Sequence, residues 1–167
     1  ERLKAALSDS QSRVQAMSAI HETLYQSQNL SAIDMNVYLS KLSHDAARNY
    51  ATGSKVNLKV ESENISIGAK QASPIGLIVN ELITNSLKYA FPITEDCEIK
   101  INLQKAEDQI ELEYADNGIG IPHDFDWKKS KTLGLKLVRT LVEFQLGGSI
   151  EMKSQNGTKF TIKFNVD

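Results

Sequence analysis

The chain predicts an α+β protein, a two-layer α/β sandwich with one sheet covered by helices on one face and a helical segment in front. Three observations carry this. Residues 1–28 hold neither proline nor glycine, and Leu3, Leu7, Ser10, Val14, Met17, His21 and Leu24 follow one another at alternating steps of four and three, a heptad-like helical stripe. Ile99, Ile101 and Leu103, then Ile110, Leu112 and Tyr114, alternate with polar residues, the period of strands with one buried face. Helical spacing returns between and after these runs. The order is therefore helices, then β-α-β-β-α-β-β, which suits helices stacked on one side of a sheet.

Each element has its own local reason. A lone helix over 1–28 would leave its stripe wet, so it wants a partner helix or a second copy of itself. Asp34 can cap the next helix, whose apolar face is Met35, Tyr38, Leu39, Leu42 and Ala46. Gly53 ends that helix or begins the turn to a strand at 56–60. The boundary divides a helical part, 1–52, from a second part, 53–167. A short strand follows around 65–67, and Ser73-Pro74 starts a helix at its first turn, closed by Phe91-Pro92. The two alternating runs form a hairpin about Glu107-Asp108. Residues 133–146 are helical, Gly147-Gly148 stops them, and 149–153 with 159–166 make a last hairpin about Asn156-Gly157.

Composition sets the outer limits. A chain of 167 residues with 41% hydrophobic content can bury one core plus an appended element. Nineteen basic against twenty-one acidic residues give a net charge of −2, which implies no bulk attraction to nucleic acid or anionic lipid. The lone cysteine, Cys97, excludes an internal disulfide framework and fits a reducing compartment. No long apolar run and no signal peptide at Glu1 is present. The expectation is a cytoplasmic chain cut from something longer, with any membrane anchor upstream.

Two stretches carry chemistry. In Asn80–Ala90, helical geometry sets Glu81, Asn85 and Lys88 within an arc of roughly 60°, so an acid, an amide and an amine share a face. By itself this is what a solvated helix face also looks like. Asp116-Asn117-Gly118-Ile119-Gly120 puts a carboxylate at a strand end ahead of two glycines that permit close backbone approach or positive φ; alone it is also ordinary turn chemistry. Leu133-Gly134-Leu135 and Asn156-Gly157-Thr158 follow in order.

These four boxes, in this order and spacing, resemble the ATP-binding domain of sensor histidine kinases, in the superfamily shared with gyrase, Hsp90 and MutL-type ATPases. The likeness runs from about Lys55 to Asp167 and implies a Bergerat-type fold with a mixed sheet. The words Arg13–Tyr25, Ile33-Asp34-Met35 and Tyr38-Leu39 resemble the second half of the dimerisation region in one subfamily. There the phosphoacceptor sits on the preceding helix, in a His-Arg-Val-Lys-Asn-Asn type motif that is absent here. His21 lies on the stripe and reads as a packing residue; His44 and His123 read as surface residues.

The resemblance implies ATP and Mg²⁺. Asp116 would accept from the adenine amine, Thr158 would share a water with it, and Tyr89 would lie along the purine or serve as a core aromatic. Gly118 and Gly120, with Ile121, would admit the nucleotide. Gly134 and Leu135 would present amides at a helix start to phosphate. Asn85 would supply one magnesium ligand and Lys88 a charge for phosphate. Residues 122–132 would form a lid whose Lys128, Lys129 and Lys131 either fold onto the polyphosphate or stay solvated. Glu81 is the candidate catalytic residue, orienting an imidazole. Implied partners are a response regulator receiver domain and a second copy through the N-terminal helical region. The competing class is a serine kinase acting on an anti-anti-sigma protein, or a conformational ATPase; the N-terminal stripe favours the histidine kinase.

Overall fold

The structure, a computed structural model, describes residues 2–26, 32–50, 56–91, 96–122, 124–130 and 132–167. Gly53, Pro92, His123 and Lys131 lie outside the described residues. Helix α1 (Arg2–Gln26) leads to the short strand β1 (Ile33–Asp34), helix α2 (Met35–Tyr50), and strands β2 (Val56–Ser62) and β3 (Ser66–Ile67). Helix α3 (Ala69–Asn85) continues through a π-helical turn, Ser86–Ala90. Strands β4 (Cys97–Ala106) and β5 (Gln109–Asp116), helix α4 (Leu133–Thr140) with a second π turn (Leu141–Gln145), and strands β6 (Ser149–Ser154) and β7 (Thr158–Asn165) complete the described chain.

The main sheet runs β2-β4-β5-β7-β6, with β2 and β4 parallel and every other pair antiparallel. The architecture is thus α+β with a mixed sheet, as expected. Ile99, Ile101, Leu103, Ile110, Leu112, Tyr114, Phe160, Ile162 and Phe164 are buried on one face. The opposite face pairs Lys159 with Glu113 at 2.5 Å and Lys163 with Glu111 at 2.8 Å, so only one side can carry a helical layer. That layer is α2, α3 and α4, with Met35, Leu39, Ile75, Ile78, Leu82, Val138 and Val142 in one continuous core. The core crosses the expected 52/53 boundary, because α2 lies on both α3 and β2 and Ile33 pairs with Ile67. Among the described residues no helix is long and apolar enough to cross a membrane.

Local signals hold in most places. Asp34 caps α2, its Oδ1 accepting from the backbone of Asn36 at 2.9 Å and Val37 at 3.1 Å. Glu107 takes φ 55° in the β4–β5 turn, and Asn156 and Gly157 take 52° and 116° in the last hairpin. The start of α3 differs: it begins at Ala69, with Pro74 inside. A tertiary contact extends it past the proline. The buried Gln71 side chain donates to the Asn165 carbonyl at 2.9 Å and accepts from the Asp167 backbone at 3.2 Å, tying the first turn to the end of β7.

The second difference lies on α1. Of the expected stripe, Leu7, Val14 and Met17 are turned outward, 62%, 65% and 46% exposed, while Leu24 is buried. The inward face is instead Arg13, Ile20 and Leu24, spaced seven and four apart; Ile20 and Leu24 enter the core. His21, one position off this face, is exposed and stacks on Tyr25, ring centroids 4.4 Å apart, rather than entering the core.

Candidate nucleotide site

The sheet topology gathers the site at one strand end. Register pairs Asp116 with Thr158 on β7 and with Ile99 on β4, so the carboxylate sits beside the last hairpin. Asp116 is buried, and its lone pairs can be counted. Oδ1 accepts from the backbone of Gly118 at 3.0 Å and Thr158 at 3.1 Å, and Oδ2 accepts from Ser86 Oγ at 2.6 Å. An ionised carboxylate has about four acceptor positions. Three are used by protein groups, which leaves one on Oδ2.

Ser86 spends its only proton on Asp116 and in turn accepts from Tyr114 Oη at 2.8 Å, which also lies 3.1 Å from the Leu82 carbonyl. Burial, reinforced by the charge of Asp116 and opposed by the Ser86 hydrogen bond, pushes the Tyr114 phenol well above its ordinary value. It therefore stays a neutral donor. A group whose pKa is raised on folding contributes stability that is complete below its unfolded pKa, about 10 for tyrosine, and is lost above it. Wild type should accordingly lose thermal stability faster than Tyr114→Phe between pH 10 and 11; parallel slopes in melts at those pH values would contradict this.

A cavity of about 660 Å³ opens in front of Asp116, within the range of small-ligand sites. Asn85, Lys88, Tyr89, Asp116, Gly120, Ile121, Gly134, Leu135 and Thr158 all line it. Tyr89 is 68% exposed at its mouth, which removes the core-aromatic reading. Gly120 has φ 75° and would place a Cβ 2.6 Å from Ser154 Oγ, whose hydroxyl accepts from Ile121 N at 2.7 Å. The loop is thereby clamped to β6.

Other expected residues sit differently. Gly118 does not line the cavity; a Cβ there would lie 2.5 Å from both Ala90 Cβ and Ala90 O. Its lack of a side chain lets the loop seat on the end of the α3 extension, where Ile119 N donates to Ala90 O at 2.9 Å. Lys128 and Lys129 take the solvated one of their two expected readings, both being exposed. Lys129 pairs with Asp126 at 3.3 Å and Lys128 lies over the Trp127 ring, 6.0 Å from its centroid. Trp127 itself is buried edge-on against Phe160, 5.7 Å between centroids, so segment 124–130 is pinned to β7 rather than hanging as a loose lid.

Glu81 is not on an open face. It is buried, and Arg13 of α1 holds it in a two-pronged pair, Nε to Oε1 at 2.7 Å and Nη2 to Oε2 at 3.1 Å. A Cβ on Gly134 would lie 2.8 Å from Glu81 Oε2, 3.3 Å from Arg13 Nη2 and 3.6 Å from Asn85 Oδ1. These groups therefore converge under the first turn of α4. Arg13, Ser86 and Tyr114 were not candidates from sequence. Ser86 follows Asn85 but lies about 100° round the helix from it, outside the polar arc, so it had no signal. Arg13 opened the run that resembles a dimerisation region, but nothing local pointed to its partner 68 residues away.

The sequence and fold have close counterparts. A model of the family described as histidine kinase-, DNA gyrase B-, and HSP90-like ATPase matches residues 70–167, and one described as histidine kinase matches residues 1–50. The chain belongs to the histidine kinase-, DNA gyrase B-, and HSP90-like ATPase family. It is 25% identical over 170 residues to the sensor histidine kinase PdtaS of Mycobacterium tuberculosis, covering 98% of this chain and 33% of that protein. To the blue-light-activated histidine kinase 2 of Erythrobacter litoralis it is 29% identical over 137 residues, 81% of this chain and 38% of that one. The solved histidine kinase domain from the Erythrobacter litoralis EL346 blue-light activated histidine kinase superposes with a TM-score of 0.80 at 25% identity, covering 92% of this chain and 73% of that one. The chain thus spans about a third of the length of these curated relatives.

Proposed function

We propose that the chain is the ATP-binding catalytic part of a two-component sensor histidine kinase in the cytoplasm. In this reading residues 1–52 belong to a dimerising, phosphotransfer region and residues 53–167 bind Mg-ATP, two functional parts over one shared core. The γ-phosphoryl passes to a histidine and then to a response regulator receiver domain. The observation that carries the reading is the single acceptor position left on Asp116, at a cavity that Asn85 and Arg13 also line and where, with Glu81, they converge on Gly134.

The adenine amine is a donor and Asp116 offers it the remaining lone pair. Tyr89 and Ile119 flank the opening with apolar surface. Gly134 and its neighbours present the amides of a helix start to phosphate. Among the described residues no group of three His, Cys, Asp or Glu side chains could hold a metal. A magnesium ion would take Asn85 Oδ1 as one protein ligand and waters and phosphates for the rest, since magnesium at a nucleotide keeps several waters and needs few protein oxygens. Bound there, it would neutralise charge on the phosphates. Lys88, at the rim, adds a positive charge.

Trp127 reports on this assignment because it packs on Phe160, which lines the cavity. Mg-ATP should shift its emission, and the magnesium-dependent part of the shift should vanish in Asn85→Ala. An unchanged metal dependence in that variant would remove Asn85 as a ligand.

Among the described residues no histidine lines the cavity. His21 stacks on Tyr25, and the His44 ring bonds the Ser40 carbonyl at 2.7 Å. Since phosphoryl transfer needs the nucleophile in line with the γ-phosphate, residues 1–167 alone should bind Mg-ATP without labelling themselves. Adding a histidine-bearing acceptor helix from a full-length relative, linked or in trans, should produce acid-labile, base-stable label from γ-labelled ATP. Such label on this chain alone, abolished by His21→Gln, would overturn the reading of the acceptor.

A further inference from the structure

The Arg13–Glu81 pair joins the helix of the dimerising region to the phosphate end of the cavity, and electrostatics shows what the pair does there. Glu81 is 2% exposed and stands beside Asn85 and Gly134, where the nucleotide reading places the phosphates. An uncompensated carboxylate in that position opposes each added phosphate, because like charges in a partly dehydrated site are weakly screened. Arg13 meets it with the planar, two-pronged geometry that suits guanidinium and carboxylate. Ser10, one turn earlier on α1, lines the same cavity. The cavity wall near the phosphates is thus partly α1.

We propose that Arg13 is a positioning residue and the determinant of nucleotide phosphate count: docked on Glu81 it cancels the carboxylate charge, so that the site accepts a triphosphate only while α1 is in place. This rests on the nucleotide reading of the cavity. It also gives that reading a control point. Moving α1 withdraws the counter-charge and lowers the affinity for ATP more than for ADP, and by reciprocity ATP favours docked α1.

The test is titration calorimetry of the whole chain with Mg-ATP, Mg-ADP and adenosine in wild type, Arg13→Met, Glu81→Gln and the double variant. Arg13→Met should weaken Mg-ATP about ten-fold, Mg-ADP less, and adenosine not at all, the ordering expected for an unneutralised charge near the outer phosphates. Glu81→Gln should tighten Mg-ATP, and the double variant should return to within about three-fold of wild type. If Arg13→Met does not fold, the Glu81→Gln and double variants still decide the matter. Equal losses for all three ligands would make Arg13 merely structural and overturn the proposal. So would an unchanged affinity in Arg13→Met, or a double variant well below wild type. A wild type that binds adenosine but shows these failures defeats only the Arg13 assignment; a wild type that binds no adenine compound defeats the nucleotide reading and this proposal with it.

Discussion

Asp116→Asn should lower affinity for ATP by about ten- to a hundred-fold, the range for losing a charge-assisted hydrogen bond, with the fold intact. The reason both can be true lies in the partners of the carboxylate. An asparagine oxygen in the Oδ1 position still accepts from Gly118 and Thr158. Its amide nitrogen in the Oδ2 position can donate to Ser86, whose hydroxyl then turns its proton elsewhere. The buried network survives with one bond reversed. Toward the cavity, however, an acceptor has become a donor and meets the donor amine of adenine. Calorimetry showing wild-type ATP affinity with an unchanged melting temperature would remove Asp116 as the base-reading group.

Gly157→Ala should be the most damaging of the alanine substitutions at the described glycines of positive φ. Gly157 has φ 116°, and a Cβ there would collide with the carbonyl of Asp116. Backbone strain at such a φ costs about 1–3 kcal/mol and forced overpacking about 1–3 kcal/mol more. A combined loss near 3 kcal/mol lowers the melting temperature of a domain this size by roughly 6–12 °C. Gly147→Ala is the matched control, with φ 60° but nothing within 4 Å of a Cβ. It should cost only about 1–2 kcal/mol, the penalty of left-handed backbone alone. Equal melting temperatures for the two variants would show that the contact with Asp116 does not matter. Because Gly157 presses on the same residue that would read the base, its alanine variant should also weaken nucleotide binding.

The contrast between these glycines shows which features are legible in sequence. Period-two alternation in 99–103 and 110–114 reports burial on one face, and a hairpin follows from it, because both signals are local. Asp116 was legible less directly: a carboxylate ending such a strand before two glycines is also ordinary turn chemistry, and only the order and spacing of the other three boxes singled it out. The function of each glycine was not legible. Gly118 serves Ala90, Gly120 serves Ser154, and Gly134 makes room for Glu81 and Arg13, all contacts distant in sequence. Helical spacing placed Glu81 and Asn85 near each other but assumed regular turns and an open face. The chain instead widens into a π turn at Ser86–Ala90, which redirects Lys88 and Tyr89, and α1 covers Glu81. The heptad-like stripe located a helix and misjudged which of its faces meets the core. Arg13 and Ile20 lie on a neighbouring line that shares Leu24 with the stripe, and it is packing on α3 that selects it.

That choice has a consequence in time. Among the described side chains, α1 contributes only Ile20 and Leu24 to the core, worth together about 3–6 kcal/mol at usual burial values, while strands β4, β5 and β7 bury a side chain at nearly every second position. The helix should therefore detach far more often than the sheet opens, in a partial unfolding that leaves the rest native. Amide hydrogens of Arg13–Gln26 should exchange with solvent well before those of Ile99–Leu103 and Ile110–Tyr114, and a saturating nucleotide should slow the helix selectively.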